Sequence, residues 1–548
     1  MSVTPRVLVV APPAIEAAIV SRLRQTRAGD FTTDASGARA DTLVFVPRGP
    51  RPGRENERLR EALTRAATAA HSGIDRTVIV SSAAIYGASP YTPGFVGETW
   101  EPPHTHPNSV AAWWRQLEQQ IGRIFPAEAA TVLRPAPVLD GESYFSTLFR
   151  APIALTLSGH DPSIQLLAVE DLAAAISCVL AATRGGVFNV APAGVIPLRA
   201  ALGLASTLRL PLPRLCQRPA RRVLAAAGAA WPGDQLEYIR YSATISGDRI
   251  EREAGFVPSR SSARALGEFL GGMGTKEDAA EPAFDRFGQD KNYIDAYGAT
   301  LFTFLSEYYW RIETDGVEAV PTSGRAVLAG PHRGFMPFDG VMLLHLIARA
   351  RSRYVRFLIH PSLVKFPFLF NFMMKLGGIP ACRENADWVL QQDEIAGIFP
   401  EGIHGAFTPY REAYRLGKFG RDEFVKIALR NRAPIVPFAT VGSAEIFPIL
   451  GKIRWPWWER WTDWPYLPIT ATFPLAPVPL PSKWHVRFLP PMHIERDYPP
   501  EASEDPRVVR EISGAVRARI QGAIDEMVAR RRWIFFGSIF NRGTDGAV

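Results

Sequence analysis

Short apolar runs alternate with segments whose apolar residues recur at helical spacing through the first half of the chain. Arg6-Val7-Leu8-Val9-Val10-Ala11 reads as a buried strand, and Ile15 to Arg24 as a helix. Asp41 to Val46 is a second strand and Glu57 to His71 a second helix; Thr77 to Ser82 is a third strand. Val110 to Ile124 is helical and is followed by the strand Thr131 to Pro135. Such alternation predicts an α/β fold with a doubly wound, Rossmann-like parallel sheet. The polar stretch Gly274 to Pro282 reads as a linker. Beyond it, Ala326 to Ala329 is a strand entering a loop, and Val341 to Ile347 a buried helix. The pattern divides the chain into a domain at 1–272, a linker at 273–284, a second α/β domain at 285–500 and a helical extension at 501–548.

A chain of 548 residues is too long for one ordinary domain. Hydrophobic residues at 47% and charged residues at 21% are normal for a globular protein. A net charge of +8 with a pI near 9.4 suits an anionic membrane surface or an anionic thioester substrate. No nucleic-acid motif accompanies it, so no nucleic-acid partner is expected. Cys178, Cys216 and Cys382 are scattered, which gives neither a disulfide framework nor a metal spacing and fits a reducing cytosol. The N-terminus lacks the charged and apolar regions of a signal peptide. No stretch approaches ~18 uninterrupted apolar residues, so no transmembrane helix is expected.

The candidate chemistry lies in Gly330-Pro331-His332-Arg333-Gly334-Phe335-Met336-Pro337-Phe338-Asp339-Gly340. It places a histidine and an aspartate on one loop between a strand and a helix, where α/β sheets carry ligands. A neutral imidazole can take a proton from an alcohol, and a carboxylate can fix its tautomer. The same residues could form a plain turn, with Asp339 capping the helix. A second strand-to-loop junction, Ile398-Phe399-Pro400-Glu401-Gly402, lies about 70 residues downstream and also ends in a carboxylate.

Together with Gly377-Gly378-Ile379-Pro380-Ala381-Cys382-Arg383 and Ala433-Pro434-Ile435-Val436-Pro437-Phe438, these stretches resemble the four ordered motifs of the glycerolipid acyltransferase superfamily. The resemblance covers about residues 285 to 500. It implies transfer of a fatty acyl group from acyl-CoA or acyl-carrier protein to a hydroxyl of a glycerolipid such as 1-acyl-glycerol-3-phosphate. His332 would be the general base and Asp339 its orienting acid. Loop N–H groups near His332 and Gly334 would stabilise the oxyanion. Phe399, Pro400, Glu401 and Gly402 would shape the acceptor site, and Arg383 and Arg411 would hold an anion. No cofactor or metal is implied beyond the thioester co-substrate.

Two departures stand out. The family's first motif usually has four residues between His and Asp; here there are six. Its third motif usually continues Thr-Arg, the Arg holding an acceptor phosphate, whereas here it continues Ile403-His404. A phosphorylated acceptor would then depend on Arg383, Arg411 or Arg415.

The N-terminal domain resembles an extended short-chain dehydrogenase or sugar-nucleotide epimerase. Val80-Ser81-Ser82-Ala83-Ala84-Ile85-Tyr86-Gly87, Leu133-Arg134-Pro135-Ala136, Ala168-Val169-Glu170-Asp171-Leu172-Ala173 and Val187-Phe188-Asn189-Val190-Ala191 carry the likeness. A dinucleotide site needs glycines after the first strand so that the backbone can approach a pyrophosphate. Here that segment is Ala11-Pro12-Pro13-Ala14-Ile15-Glu16, and its prolines also remove N–H donors. Aligning Glu118 with the family's acid puts Val110 and Trp114 at the catalytic Tyr and Lys positions. The domain is therefore expected to be non-redox, with no NAD(P) bound.

Tyr293 to Tyr309 reads as an amphipathic helix, against a membrane or against the sheet. Leu363 to Lys375 is apolar with spaced lysines, suited to an interface, an acyl-chain groove or a core. Trp455 to Trp464 holds five tryptophans in ten residues, broken by prolines and charges; it reads as a poor strand or core helix, and as an interfacial segment or a folded-back loop covering the sheet. Arg530-Arg531-Arg532-Trp533-Ile534-Phe535-Phe536 is a peripheral anchor or a docked terminus. A cytoplasmic protein, peripheral at the inner face of the plasma membrane, is expected. Two other classes stay open: an NAD(P)-dependent oxidoreductase or epimerase acting through the N-terminal domain, and a non-catalytic membrane scaffold.

Overall fold

Parallel strands covered by helices on both faces are buried along their length, and three strands of the first unit show this. Val7–Val10, Thr42–Phe45 and Val78–Val80 are buried at every position. The computed structural model describes residues 6–540 apart from 27–29, 34–39, 51–53, 71–73, 103–104, 108, 126–129, 183–184, 214–215, 217–233, 272–283, 335, 421 and 473–477. The expected linker falls almost wholly outside the described residues. The chain forms two compact units, Met1–Gly288 and Gln289–Val548.

The first unit is built on β1 (Arg6–Val10), β2 (Asp30–Thr32), β3 (Thr42–Phe45), β4 (Arg76–Val80), β5 (Ala130–Pro135) and β6 (Gly186–Val190). Their spatial order is β2-β1-β3-β4-β5-β6, and every pair is parallel. The chain crosses from one side of β1 to the other after β2, so the ligand crevice of such a sheet lies at the C-terminal ends of β1 and β3. This is the doubly wound, Rossmann-like sheet that the alternating pattern implies. Helix Val110–Ile124 has the limits read from the sequence, because the Ser109 hydroxyl caps it by accepting from Ala112 N–H. Glu118 on that helix pairs with Arg134 at 2.8 Å.

The second unit holds a mixed sheet of β7 (Glu313–Asp315), β8 (Ala326–Ala329), β9 (Val355–Ile359), β10 (Ile379–Pro380), β11 (Ile395–Ile398), β12 (Ile435–Val441) and β13 (His485–Phe488). The order is β7-β13-β12-β8-β11-β9-β10, antiparallel only between β12 and β13. Pro437 is the last residue of β12 paired with β8; pairing with β13 begins at Phe438. A residue without an N–H is tolerated at such a switch. Helix Pro506–Arg530 buries Val509, Ile512, Val516, Ile520 and Ile524 within this unit.

One local expectation needs correction, and two open readings are narrowed. Tyr293–Tyr309 is not one regular helix: an α-helix at Lys291–Tyr297 passes into π-turns at Gly298–Phe302 and Phe304–Tyr309. The Thr300 and Thr303 hydroxyls donate to the Ala296 and Gly298 carbonyls at 2.7 and 2.6 Å, competing with the backbone ladder. The tryptophan-rich stretch does form a helix, Pro456–Thr462, because Pro456 occupies the first turn, where its fixed φ and missing N–H cost nothing. The C-terminal basic residues are partly docked: Arg531 is paired with buried Glu445, while Trp533 and Phe536 remain exposed. Among the described residues no helix is long and apolar enough to cross a membrane.

Burial sets a pH dependence. His485 is fully buried, and desolvation pushes its imidazole down to about 4; burial also lowers His345 and His360. The unfolded chain therefore takes these protons before the folded one does. Stability should hold above about pH 6.5 and fall towards pH 4, with His485 contributing about 1.4 kcal/mol per pH unit across that window. Urea unfolding across that window measures it, and His485→Phe should flatten the slope.

Candidate active site

The register of two neighbouring strands builds the site. Ala329 of β8 lies opposite Ile398 of β11, so both strands end at the same level of the sheet. Three residues beyond each end stand His332 and Glu401. Their loops emerge side by side.

His332 Nδ1 lies 3.0 Å from Asp339 Oδ2. The aspartate is not on the loop, as the sequence suggested, but in the first turn of helix Phe338–Arg351, whose entry is set by Pro337. This turn closes the six-residue gap and places a fully buried carboxylate at the positive end of a helix. Asp339 Oδ2 also accepts the Arg333 N–H at 2.6 Å. Its other oxygen, Oδ1, is buried with no hydrogen-bond partner among the described residues. With Nδ1 donating to the carboxylate, Nε2 keeps its lone pair. The imidazole stacks on Phe399, centroids 4.8 Å apart, and Phe399 stacks on Phe357 at 5.3 Å.

Arg333, which the sequence reading passed over, is buried at 3% exposure. Its guanidinium reaches Glu401 Oε2 at 2.7 Å and Oε1 at 3.2 Å. It also donates to the carbonyls of Ala413, Arg415 and His332. Glu401 Oε1 accepts the Gly417 N–H at 2.7 Å as well. Both Glu401 oxygens are therefore spent inside the protein, and the residue clamps loops rather than facing an acceptor. The Arg333 N–H, bonded to Asp339, does not serve as an oxyanion donor. No sequence signal marks Arg333 beyond its place beside His332.

His332 opens on a cavity of about 360 Å³ lined by Phe357, Ile359, Leu363, Leu369, Met373, Ile398, Ile403, Phe407, Ile427 and Trp464. Phe399, Gly402, Arg383, His360 and Cys382 also line it. Of the expected substrate-binding residues, Arg383 is half-exposed, with Asp387 at 3.5 Å. Gly334, Pro400, Glu401 and Arg411 do not line the cavity. Gly334 adopts φ +73°, where a side chain would be strained, beside the Ser443 carbonyl. Pro400 accepts from Gly420 N–H. Arg411 is exposed beside Glu412. Burial pushes the Cys382 thiol up to about 12, so it stays protonated and is no nucleophile.

Comparison with known proteins follows the same outline. The family described as Acyltransferase matches residues 311–441. An uncharacterised protein of Mycobacterium tuberculosis is 38% identical over 259 residues, 46% of this chain and 72% of that protein. A Mycobacterium leprae protein is 36% identical over 259 residues, covering 46% and 70%. Phytyl ester synthase 2 of Arabidopsis thaliana is 28% identical over 141 residues, 24% of this chain and 20% of that protein. Among solved structures, the Thermus thermophilus UDP-glucose 4-epimerase complex with NAD covers 48% of this chain and 98% of that one, with 17% identity and a TM-score of 0.37. UDP-N-acetylglucosamine 4-epimerase from Bacillus cereus covers 48% and 98%, with 12% identity and a TM-score of 0.34. The fold of the first unit rests on its own strand order.

Glu401→Gln should leave Arg333 charged, buried and unmatched. The expected loss is about 3–5 kcal/mol, read as a lower urea midpoint. Arg383→Ala, at an exposed position, should shift the midpoint by no more than about 0.5 kcal/mol.

Proposed function

The chain belongs to the acyltransferase family through residues 311–441, and on that premise we propose that it moves a fatty acyl group from acyl-CoA or acyl-carrier protein to a lipid hydroxyl. The observation that carries this reading is the His332–Asp339 pair, 3.0 Å apart, at an apolar cavity of about 360 Å³. His332 Nε2 takes the proton of the acceptor hydroxyl as its oxygen attacks the thioester carbonyl. The tetrahedral adduct collapses, the C–S bond breaks, and the thiolate leaves with the proton returned by the imidazolium. Asp339 holds the ring and steadies its charge. Direct transfer is the simpler reading, and the raised pKa of the Cys382 thiol at the cavity supports it.

A glycerolipid such as 1-acyl-glycerol-3-phosphate is the first acceptor, with Arg383 at the cavity for its phosphate. An apolar alcohol is the second. It is favoured by Ile403 on the cavity wall and exposed His404 beside it, where the family usually has Thr-Arg, and by the likeness to a phytyl ester synthase.

The same unit offers a membrane-facing surface. Trp464 lines the cavity, while Trp455, Trp457 and Trp461 of the adjoining helix are about half exposed, beside exposed Leu450, Ile453 and Arg454. Tryptophans with nearby cations suit an anionic headgroup layer. The protein is read as peripheral at the inner face of the plasma membrane.

His332→Ala should lower transfer by about 10²–10⁴-fold with an unchanged circular dichroism spectrum. Mass spectrometry of lipids made from acyl-CoA and lysophosphatidate, diacylglycerol or phytol measures this and names the acceptor. Activity retained in that variant would overturn the role of His332. Replacing Trp455, Trp457 and Trp461 together by Ser should abolish co-sedimentation with phosphatidylglycerol vesicles while leaving the fold intact.

A further inference from the structure

The first unit contains a cavity of about 230 Å³ that the acyl-transfer reading does not use. It lies where β1, β3 and β4 end, and Pro12, Val46, Ser81, Val110, Trp114 and Tyr144 line it. In a doubly wound sheet this is the place for a ligand. The lining, however, opposes a dinucleotide. Pro12 and Pro13 offer no N–H to a pyrophosphate at the start of helix Pro13–Thr26. The charged lining residues are Arg48, Glu142 and Asp140, and Arg48 is already matched by Glu142 at 3.4 Å. The balance is one negative charge, which repels an anion.

Two of the lining residues carry hydroxyls that lack partners among the described residues: Ser81 Oγ, on a residue only 4% exposed, and Tyr144 Oη. An unpaired buried hydroxyl carries a desolvation cost that a ligand oxygen would relieve. Ser81 is placed firmly, since its N–H donates to the Leu133 carbonyl at 2.7 Å. We propose that this cavity binds an uncharged, largely apolar molecule ending in one hydroxyl or carbonyl, a long-chain or isoprenoid alcohol in class. The chain enclosed by Val46, Val110 and Trp114 supplies the affinity, and the two hydroxyls hold the polar end.

Retinol is a suitable probe: it is a neutral isoprenoid alcohol that absorbs where tryptophan emits, so binding beside Trp114 quenches protein fluorescence. The full chain is titrated with retinol and, separately, with NADH and NADPH. Saturable quenching by retinol is expected. Val110→Phe should weaken it by about tenfold, because the added ring fills the space. Ser81→Ala should weaken it several-fold while leaving the thermal midpoint of the ligand-free protein unchanged or raised, since an orphan hydroxyl is removed. If Val110→Phe fails to fold, Ser81→Ala decides alone. Absence of saturable retinol binding sinks the proposal. So does retinol binding that neither variant weakens, which would put the probe elsewhere. Saturable NADH or NADPH quenching that Val110→Phe weakens would make the cavity a nucleotide site instead.

Discussion

One buried guanidinium holds the second unit's chemistry in place. Arg333 is removed from water, and a charge so placed is tolerable only with an opposite charge and a full set of acceptors. Glu401 supplies the charge, and the carbonyls of His332, Ala413 and Arg415 supply the rest. Because β8 and β11 end level with one another, the pair forms between two loops that leave the sheet together. The same residue gives its backbone N–H to Asp339. The orientation of the base and the closure of the loops are thus parts of a single bonded system.

The cavity below this system is apolar because of where its walls come from. Phe357 and Ile359 belong to β9, and Leu369 and Met373 to helix Pro367–Lys375. Trp464 closes another side while packing on Phe366 at 4.8 Å. Trp464 thereby roots the half-exposed tryptophan helix in the wall of the chain-sized space, joining a candidate lipid surface to a candidate lipid pocket within ten residues. Such continuity offers a fatty chain a route that avoids open water.

Much of this could be read from residue order alone, for specific reasons. Continuous apolar runs and helical spacing located the first unit's strands and helix Val110–Ile124. Four ordered motifs located His332, Asp339, Arg383 and Glu401. What stayed hidden was direction. Glu401 stands in a motif that suggests contact with substrate, yet its carboxylate turns to Arg333, and nothing local in the sequence marks an arginine that will be buried. Asp339 lay in the expected stretch but on a helix, because the Pro337 turn is a three-dimensional matter. The short tryptophan helix was not foreseen, because a proline that breaks a helix in its middle starts one at its end.

The ring stack has a consequence of its own. An aromatic face is electron-rich, so it attracts a cation more than a neutral group. Phe399 stacks against the imidazole and is backed by Phe357, with Gly397 leaving room for the Phe357 ring. In the proposed transfer the ring beside Phe399 is neutral at the outset and carries the acceptor's proton at the summit of the barrier. The phenyl π-cloud would then favour the later state over the earlier one, which is what lowering a barrier requires. On that reading a residue that looks like packing acts as a quadrupolar counterweight to the fleeting imidazolium.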